Sequence, residues 1–171
     1  MAKQDLIAAK ATSLAEQSDA IVVSFAADWH KPLLANDFSV VIRKRIPKQR
    51  SFKWIYFHIN SPVSGICGRA PIVKIFDATL KDAVALADAI NMSATEIESY
   101  IGGADRIGCY VLGPVELAPA PVCTKALAAS MRYSPPQSFF ISSIRARAII
   151  DRLAGFAEPR SLQQTEAHDV S

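Results

Sequence analysis

The chain has 171 residues, of which half are hydrophobic and a fifth are charged, as is usual for one globular domain with its own core. The formal net charge is only +3. No apolar run approaches the roughly 20 residues that cross a bilayer, and the first residues do not resemble a signal peptide. Three scattered cysteines and three scattered histidines argue against a disulfide framework and a metal site. We therefore expect a cytoplasmic protein without a cofactor and without membrane association.

The first part of the chain predicts two helices and two strands. They are a helix over residues 3–18, a buried strand over 21–25, a short helix over 29–35 and a strand over 38–46. Leu6 and Leu14 lie at helical spacing in the first helix. Asp28 is placed to cap the short helix, with Pro32 tolerated in its first turn. Pro47 ends the second strand because it has no amide to donate to a ladder.

Residues 53–60 form the clearest predicted strand. Ile55, Phe57 and Ile59 share one face, which we expect to face the core. The other face carries aromatic side chains, namely Phe52, Trp54, Tyr56 and His58. Such a ladder could stack on nucleobases, but we interpret it as core because a half-buried strand needs large side chains.

The remaining elements alternate between strands and helices. They are a strand over 63–75 that bends near Gly65, Gly68 and Pro71, a helix over 79–91, a short helix over 93–100, a strand over 106–117 that breaks near Gly113, a loop at Pro119 and Pro121, a strand over 138–141 and a helix over 144–153. Ser93 and Glu96 form a capping box at the start of the short helix. Gly102 and Gly103 end that helix.

We divide the chain into an N-terminal helix over residues 1–18, one domain over 19–156 and a polar tail over 157–171. The tail has no periodic apolar residues, and we expect it to be disordered. Strands follow one another over 38–76 without an intervening helix. This order favours an α+β fold with a mostly antiparallel sheet or small β-barrel and flanking helices.

The positive charge is concentrated in one segment. Between Asp37 and Asp77 there is no acidic residue but there are eight basic ones, namely Arg43, Lys44, Arg45, Lys48, Arg50, Lys53, Arg69 and Lys74. Outside that segment acidic residues outnumber basic ones. A basic block beside aromatic residues is typical of a surface for phosphate or nucleic acid. A solvated strand-and-turn face would look the same.

Seven short pieces, in order, resemble the PUA-like superfamily that includes the ASCH domains. They are VVIRKRI at 40–46, WIYFHINSPV at 54–63, ICGRA at 66–70, ESYIGG at 98–103, GCYVL at 108–112, PVEL at 114–117 and PPQSF at 135–139. The nearest likeness is to a bacterial and archaeal group of predicted transcriptional regulators. The resemblance covers most of the chain, roughly residues 20–142.

The resemblance implies a small, mostly antiparallel β-barrel whose mouth holds a cleft for RNA or a nucleobase-like ligand. Some ASCH proteins are small hydrolases of acetylated cytidine, and at least one is a ribonuclease. Related sequences place a Gly-x-Lys and then a Glu just before the basic triplet, and the hydrolases use that lysine. Here the stretch is LAND at 34–37, without the lysine. The resemblance therefore favours binding over amidohydrolase activity.

The candidate ligand contacts are the basic triplet Arg43, Lys44 and Arg45, together with Ser61, Gln137 and Ser138. If the strand continued through the triplet, Arg43 and Arg45 would share one face, where two guanidiniums can hold phosphate. Lys44 would then point to solvent. The resemblance puts Ser61, Gln137 and Ser138 in turns at the cleft, where they could contact bases or phosphates or cap backbone groups.

Our first hypothesis is a module that binds RNA or a nucleotide, with a regulatory role. The second is a small hydrolase of modified nucleosides or a ribonuclease that uses the same cleft. Its candidate groups are Lys31, Asp37, His58, Cys67 and Glu98, none with a partner at a telling spacing. The third is a regulatory subunit whose basic face docks an acidic protein partner. Association into a homo-oligomer is also open.

Overall fold

The computed structural model describes residues 19–48, 50–137 and 139–157. The strands there are β1 (Ala20–Phe25), β2 (Val40–Arg43), β3 (Trp54–Ile59), β4 (Gly65–Ala78), β5 (Ile107–Leu112), β6 (Glu116–Cys123) and β7 (Phe139–Ser142). The helices there are α1 (His30–Ala35), α2 (Leu80–Ala85), α3 (Ala87–Ile90), α4 (Ala94–Ile101), α5 (Thr124–Ser130) and α6 (Ile144–Ala154). No helix of these stretches is long and apolar enough to cross a membrane. The helix predicted over 3–18 and nearly all of the predicted tail lie outside the described residues.

The strands form one sheet in the order β2-β5-β4-β3-β1-β7, with β6 paired to β4 as well. Among the strands of the described residues, β1 and β3 pair in parallel and the other pairs are antiparallel. β4 is long enough to serve two groups of partners. Its first half lies between β3 and β6, and its second half pairs with β5. The predicted α+β class is confirmed.

The sheet curls around an inner core. Side chains of β1, β3 and β2 meet there, among them Phe25, Phe57 and Val41, although two strands separate β2 from β3 in the sheet. No described ladder joins β2 to β1 or β7, so a closed barrel is not confirmed. The curl instead brings the end of β2 close to the end of β1.

Two helical layers cover the outside of the sheet. α5 and α6 pack on one part through Leu127 and Ile150. α2, α3 and α4 pack on another part through Ala83, Ile90 and Ile97. β3 is therefore buried on both faces. Ile55, Phe57 and Ile59 lie in the inner core as predicted, whereas Tyr56 faces the layer of α5 and α6.

Local sequence signals account for both ends of α4. Ser93 and Glu96 form the predicted capping box at the start of α4, with each side chain accepting the other residue's amide. Gly102 ends α4 at φ 55°, in the left-handed region that favours glycine.

Two other helix predictions were wrong. Asp28 lies in a 3₁₀ turn and does not cap α1, whose N-cap is Trp29 and has no side-chain cap hydrogen bond. The helix predicted over 79–91 is interrupted at Leu86.

The loop predicted at Pro119 and Pro121 is the middle of β6. β6 pairs only with β4, and its register shifts between Ile66 and Gly68, so both prolines lie where no ladder hydrogen bond is required of them. The two β4 glycines allow this close pairing. A Cβ on Gly65 would lie 2.6 Å from the Val122 carbonyl oxygen. The pairing that overrides the proline signal is therefore a tertiary effect.

A buried arginine connects four elements. Arg69 of β4 is 2% exposed. Its Nε donates to Glu116 of β6 at 2.7 Å, and its Nη1 lies 3.1 Å from Asp151 of α6. Its guanidinium lies 4.4 Å from the ring centroid of Trp54 and 4.7 Å from that of Phe156. The charge is thus paired on its edges and covered on its faces.

The carboxylate of Asp151 is shared. The Tyr56 hydroxyl of β3 donates to it at 2.5 Å, and Arg147 of the same helix lies 3.4 Å away. Arg147 also pairs with Asp19, just before β1. Burial, together with this carboxylate, raises the pKa of Tyr56 well above its usual value. The network therefore holds α6 to β1, β3, β4 and β6.

Replacing the buried arginine should be far more costly than replacing an exposed one. Arg69→Ala would leave Asp151 buried with less compensation, and we expect it to lower the free energy of unfolding by about 3–5 kcal/mol. The control is Arg50→Ala, which breaks an ion pair with Asp77 whose side chains are 40% and 41% exposed; it should cost less than about 1 kcal/mol. Urea unfolding of both variants measures this. Equal losses would contradict the account.

The cysteines should differ in reactivity. Burial raises the pKa of Cys67 and Cys109 to about 11, so at pH 8 both are almost entirely protonated and shielded, whereas Cys123 is exposed. We expect one thiol per native chain to react rapidly with an aromatic disulfide reagent, and all three after unfolding. In Cys123→Ser the rapid phase should vanish. A rapid phase that survives in that variant would show that a buried thiol is accessible.

Candidate functional site

The basic triplet is positioned by the end of β2. Arg43 is the last residue of the strand and lies opposite Gly108 of β5. Ile46 packs directly over Gly108, so closely that any Cβ there would overlap it. Arg43 and Ile46 are thus both held against Gly108, and Lys44 and Arg45 between them leave the ladder of β2 and β5. The strand alternation that was predicted to put Arg43 and Arg45 on one face therefore does not reach Arg45.

The triplet nevertheless converges on one cavity. Its volume is about 190 Å³, and it is lined by Arg43, Lys44, Arg45, Tyr100 and Gln137. Four of the six candidate contacts thus meet there, although Gln137 is distant from the triplet in sequence. Lys44, Arg45 and Gln137 are exposed. Three cations and one amide side chain therefore line the same cavity.

Arg43 is partly committed to the fold. Its Nη2 donates to the Ser24 carbonyl at 2.7 Å, and its guanidinium lies 4.2 Å from the ring centroid of Phe25. Both of those residues belong to the end of β1, so Arg43 bridges the gap between β2 and β1. Its Nε is buried and has no hydrogen-bond partner among the described residues. Arg43 is therefore an anchor of the fold whose buried Nε has no partner among the described residues, whereas Lys44 and Arg45 line the cavity as exposed side chains.

Tyr100 forms one wall of this cavity. It lies in the last turn of α4, partly buried against the outer helical layer. The Lys44 ammonium lies 5.3 Å from its ring centroid, within range of a cation–π contact. Tyr100 thus both rims this cavity and packs α4 against the sheet.

Two further cavities adjoin the first. A small apolar one of about 60 Å³ shares Arg43 and Tyr100 with it and is also lined by Phe25 and Trp29. A larger one of about 620 Å³ shares Trp29 and Tyr100 with the small cavity and reaches Asp28 and Glu96. We call the three together the cleft. Its basic end is Lys44, Arg45 and Gln137, and its acidic end is Asp28 and Glu96.

Sequence reasoning did not single out Trp29 as a site residue. The signal was present, since an aromatic residue stands four positions after the strand end at Phe25, between Asp28 and His30. Nothing local, however, could show that this turn faces α4. That contact depends on the curl of the sheet.

Two of the candidate contacts stay apart from the cleft. Ser61 is exposed in the turn after β3 and lines none of the three cavities. Ser138 lies outside the described residues. The basic segment is also not one surface, because Arg69 is in the core, Arg50 pairs with Asp77, and Lys74 lies 5.2 Å from the Phe76 ring.

The candidate catalytic groups are dispersed. His58 and Cys67 are buried, and Lys31, Asp37 and Glu98 are exposed; none of the five lines the cavity of the triplet. His58 makes a 2.8 Å hydrogen bond with the Tyr133 hydroxyl. Cys67 is a core residue, as predicted. Over the described stretches no three His, Cys, Asp or Glu side chains come together as a metal site.

Comparison with known proteins bears on the fold. No protein-family model matches the chain, and no curated protein does. The crystal structure of the ASCH protein from Zymomonas mobilis matches with a TM-score of 0.71 at 18% identity, covering 79% of this chain and 95% of that one. Its serine-to-alanine variant gives 0.70 at 18% identity, covering 81% and 98%. The N-terminal domain of Staphylothermus marinus McrB gives 0.55 at 12% identity, covering 80% and 94%.

The chain therefore has an ASCH-like fold, and the ASCH resemblance predicted from its short motifs is confirmed at the level of the fold. At these identities the likeness concerns the fold.

The buried histidine should make stability depend on pH. Burial lowers the pKa of His58 below its usual 6.5, so as the pH falls the unfolded chain takes up this proton before the folded chain does. His58 therefore contributes stability above about pH 6.5 that is lost as the pH falls. We expect His58→Gln to show a smaller drop in the free energy of unfolding between pH 7.5 and 5.5 than the wild type.

The matched control is His30→Gln, at a partly exposed histidine, which should keep the wild-type pH dependence. Urea unfolding at both pH values supplies the comparison. An unchanged pH dependence in His58→Gln would show that other groups cause it.

Proposed function

We propose that the cleft binds RNA or a nucleotide, with the phosphate at the basic end. The observation that carries this proposal is that three consecutive cations and Gln137 line one cavity beside Tyr100. Lysine and arginine supply the charge that holds phosphate, and arginine adds a planar pair of donors. The volume of about 190 Å³ suits one phosphate group with its water.

The aromatic side chains supply a second type of contact. Trp29 and Tyr100 line both the small and the large cavity. Stacking on such rings is worth about 1–3 kcal/mol per base and tolerates any base. A nucleobase next to the bound phosphate would therefore contact these rings.

Binding is favoured over catalysis because, among the described residues, no acid–base pair lines the cavity of the triplet. The lysine that ASCH hydrolases use is absent from residues 34–37. A closed barrel and a regulatory role remain predictions that accompany this proposal.

Removing the exposed cations should weaken binding and its dependence on salt. We expect Lys44→Ala and Arg45→Ala each to weaken binding of a short single-stranded RNA by about three- to tenfold, and each to reduce the slope of log K against log salt by about 0.7. Fluorescence anisotropy from 50 to 200 mM salt measures both quantities.

The controls are Lys125→Ala and Arg132→Ala, at exposed cations that do not line the cleft; they should bind as the wild type does. No binding of any RNA or DNA at low salt would refute the proposal. Capture of an acidic peptide such as polyglutamate, with no affinity for nucleic acid, would instead indicate a protein-docking face.

A further inference from the structure

The two ends of the cleft carry opposite charge. Lys44 and Arg45 lie at one end, and Asp28 and Glu96 lie at the other. The described lining of the larger cavity contains no lysine or arginine. A ligand that fills the cleft must therefore be anionic at one end only.

The acidic end offers hydrogen-bond acceptors. Glu96 receives the Ser93 amide through Oε2 at 2.7 Å, which leaves Oε1 for another donor. The bonds from Ser93 lower the pKa of Glu96, so it is ionised at neutral pH. Asp28 is exposed at the rim of the same cavity. Two carboxylates in one cavity fit a ligand group that donates hydrogen bonds, and ribose hydroxyls are such donors.

The charge at the acidic end of the cleft excludes a continuous RNA strand. Glu96 and Tyr100 are one helical turn apart on the same face of α4, about 6 Å along its axis. Every internal nucleotide of an RNA strand carries a further phosphate on its 3′ side. A strand that continued past Tyr100 would therefore bring its next phosphate against Glu96 and Asp28. The cavity there, about 620 Å³, has room for a whole nucleoside but not the charge for a phosphate.

We propose that the cleft recognises the 3′-terminal nucleotide of an RNA, with its 5′-phosphate at Lys44 and Arg45 and its free 2′,3′-diol donating to Asp28 and Glu96. This inference rests on the proposed function and deepens it. The base contacts Trp29 and Tyr100. An internal stretch of RNA is excluded because it has no free diol and carries a phosphate in its place.

The test compares four single-stranded RNA probes of one sequence. They are a 5′-labelled trinucleotide with a free 2′,3′-diol, the same with a 3′-phosphate, the same with a 2′,3′-dideoxy end, and an unlabelled circular RNA used as competitor. We expect the 3′-phosphate and the dideoxy end each to weaken binding about tenfold or more, since hydrogen bonds to charged groups are worth about 1.5–3 kcal/mol. The circle should compete at least tenfold less well than an unlabelled linear RNA.

The double variant Asp28→Asn/Glu96→Gln tests the acidic end directly. Gln at position 96 preserves the capping box, so α4 should stay intact. The penalty for the 3′-phosphate should shrink from about tenfold to about threefold or less, because the repulsion is gone. Lys125→Ala should leave the penalty unchanged.

The outcomes separate the two proposals. If the linear and the circular RNA compete equally, or if the 3′-phosphate costs nothing, the 3′-end inference is wrong while RNA binding stands. If no nucleic acid or nucleotide binds, both fail. If the 3′-phosphate penalty is the same in the double variant as in the wild type, end recognition does not involve the carboxylates, and the proposed arrangement is overturned.

Discussion

The structure depends on one buried charge. Arg69 lies in the middle of β4 and is only 2% exposed, so its guanidinium has lost nearly all contact with bulk solvent. A buried guanidinium is tolerated only when carboxylates and aromatic faces replace its hydration. These contacts come from Glu116 of β6, Asp151 of α6, Trp54 of β3 and Phe156, two residues beyond the end of α6. Each element must therefore be in place before the charge is satisfied, and this requirement fixes their relative positions.

The cleft follows from the opposite side of the same sheet. With β4 held between β3 and β6, its second half is left to pair with β5, and β5 carries β2. The curl then brings the end of β2 to the end of β1, where Arg43 bridges to Ser24 and Phe25. Arg69 thus stabilises the part of the sheet in which β4 lies between β3 and β6. Arg43 stabilises the part in which β2 approaches β1 without a described ladder, and the two residues that follow it line the cleft.

The two ends of the cleft come from different kinds of structure. The basic end belongs to an irregular stretch between two anchors, Arg43 and Ile46, and the acidic end belongs largely to a capped helix. The capping box that begins α4 also holds the Glu96 carboxylate in place. Helix stability and site electrostatics therefore share the same side chain. Because the two ends belong to different elements, the charge at one end of the cleft can be changed without unfolding the other end.

Sequence alone determined the features whose causes are local. The capping box at Ser93, the left-handed glycine at 102, the core face of β3 and the α+β class all follow from neighbours a few residues apart. Tertiary structure decided the rest. The same basic residue type became core at Arg69, an anchor at Arg43 and a cleft residue at Arg45, and Pro119 and Pro121 became part of a strand. A side chain's charge is its own, but its burial depends on partners far along the chain, such as Asp151 for Arg69 and Tyr100 for Lys44. For that reason the sequence could indicate candidate residues for phosphate binding, and only the fold could bring them to one cavity.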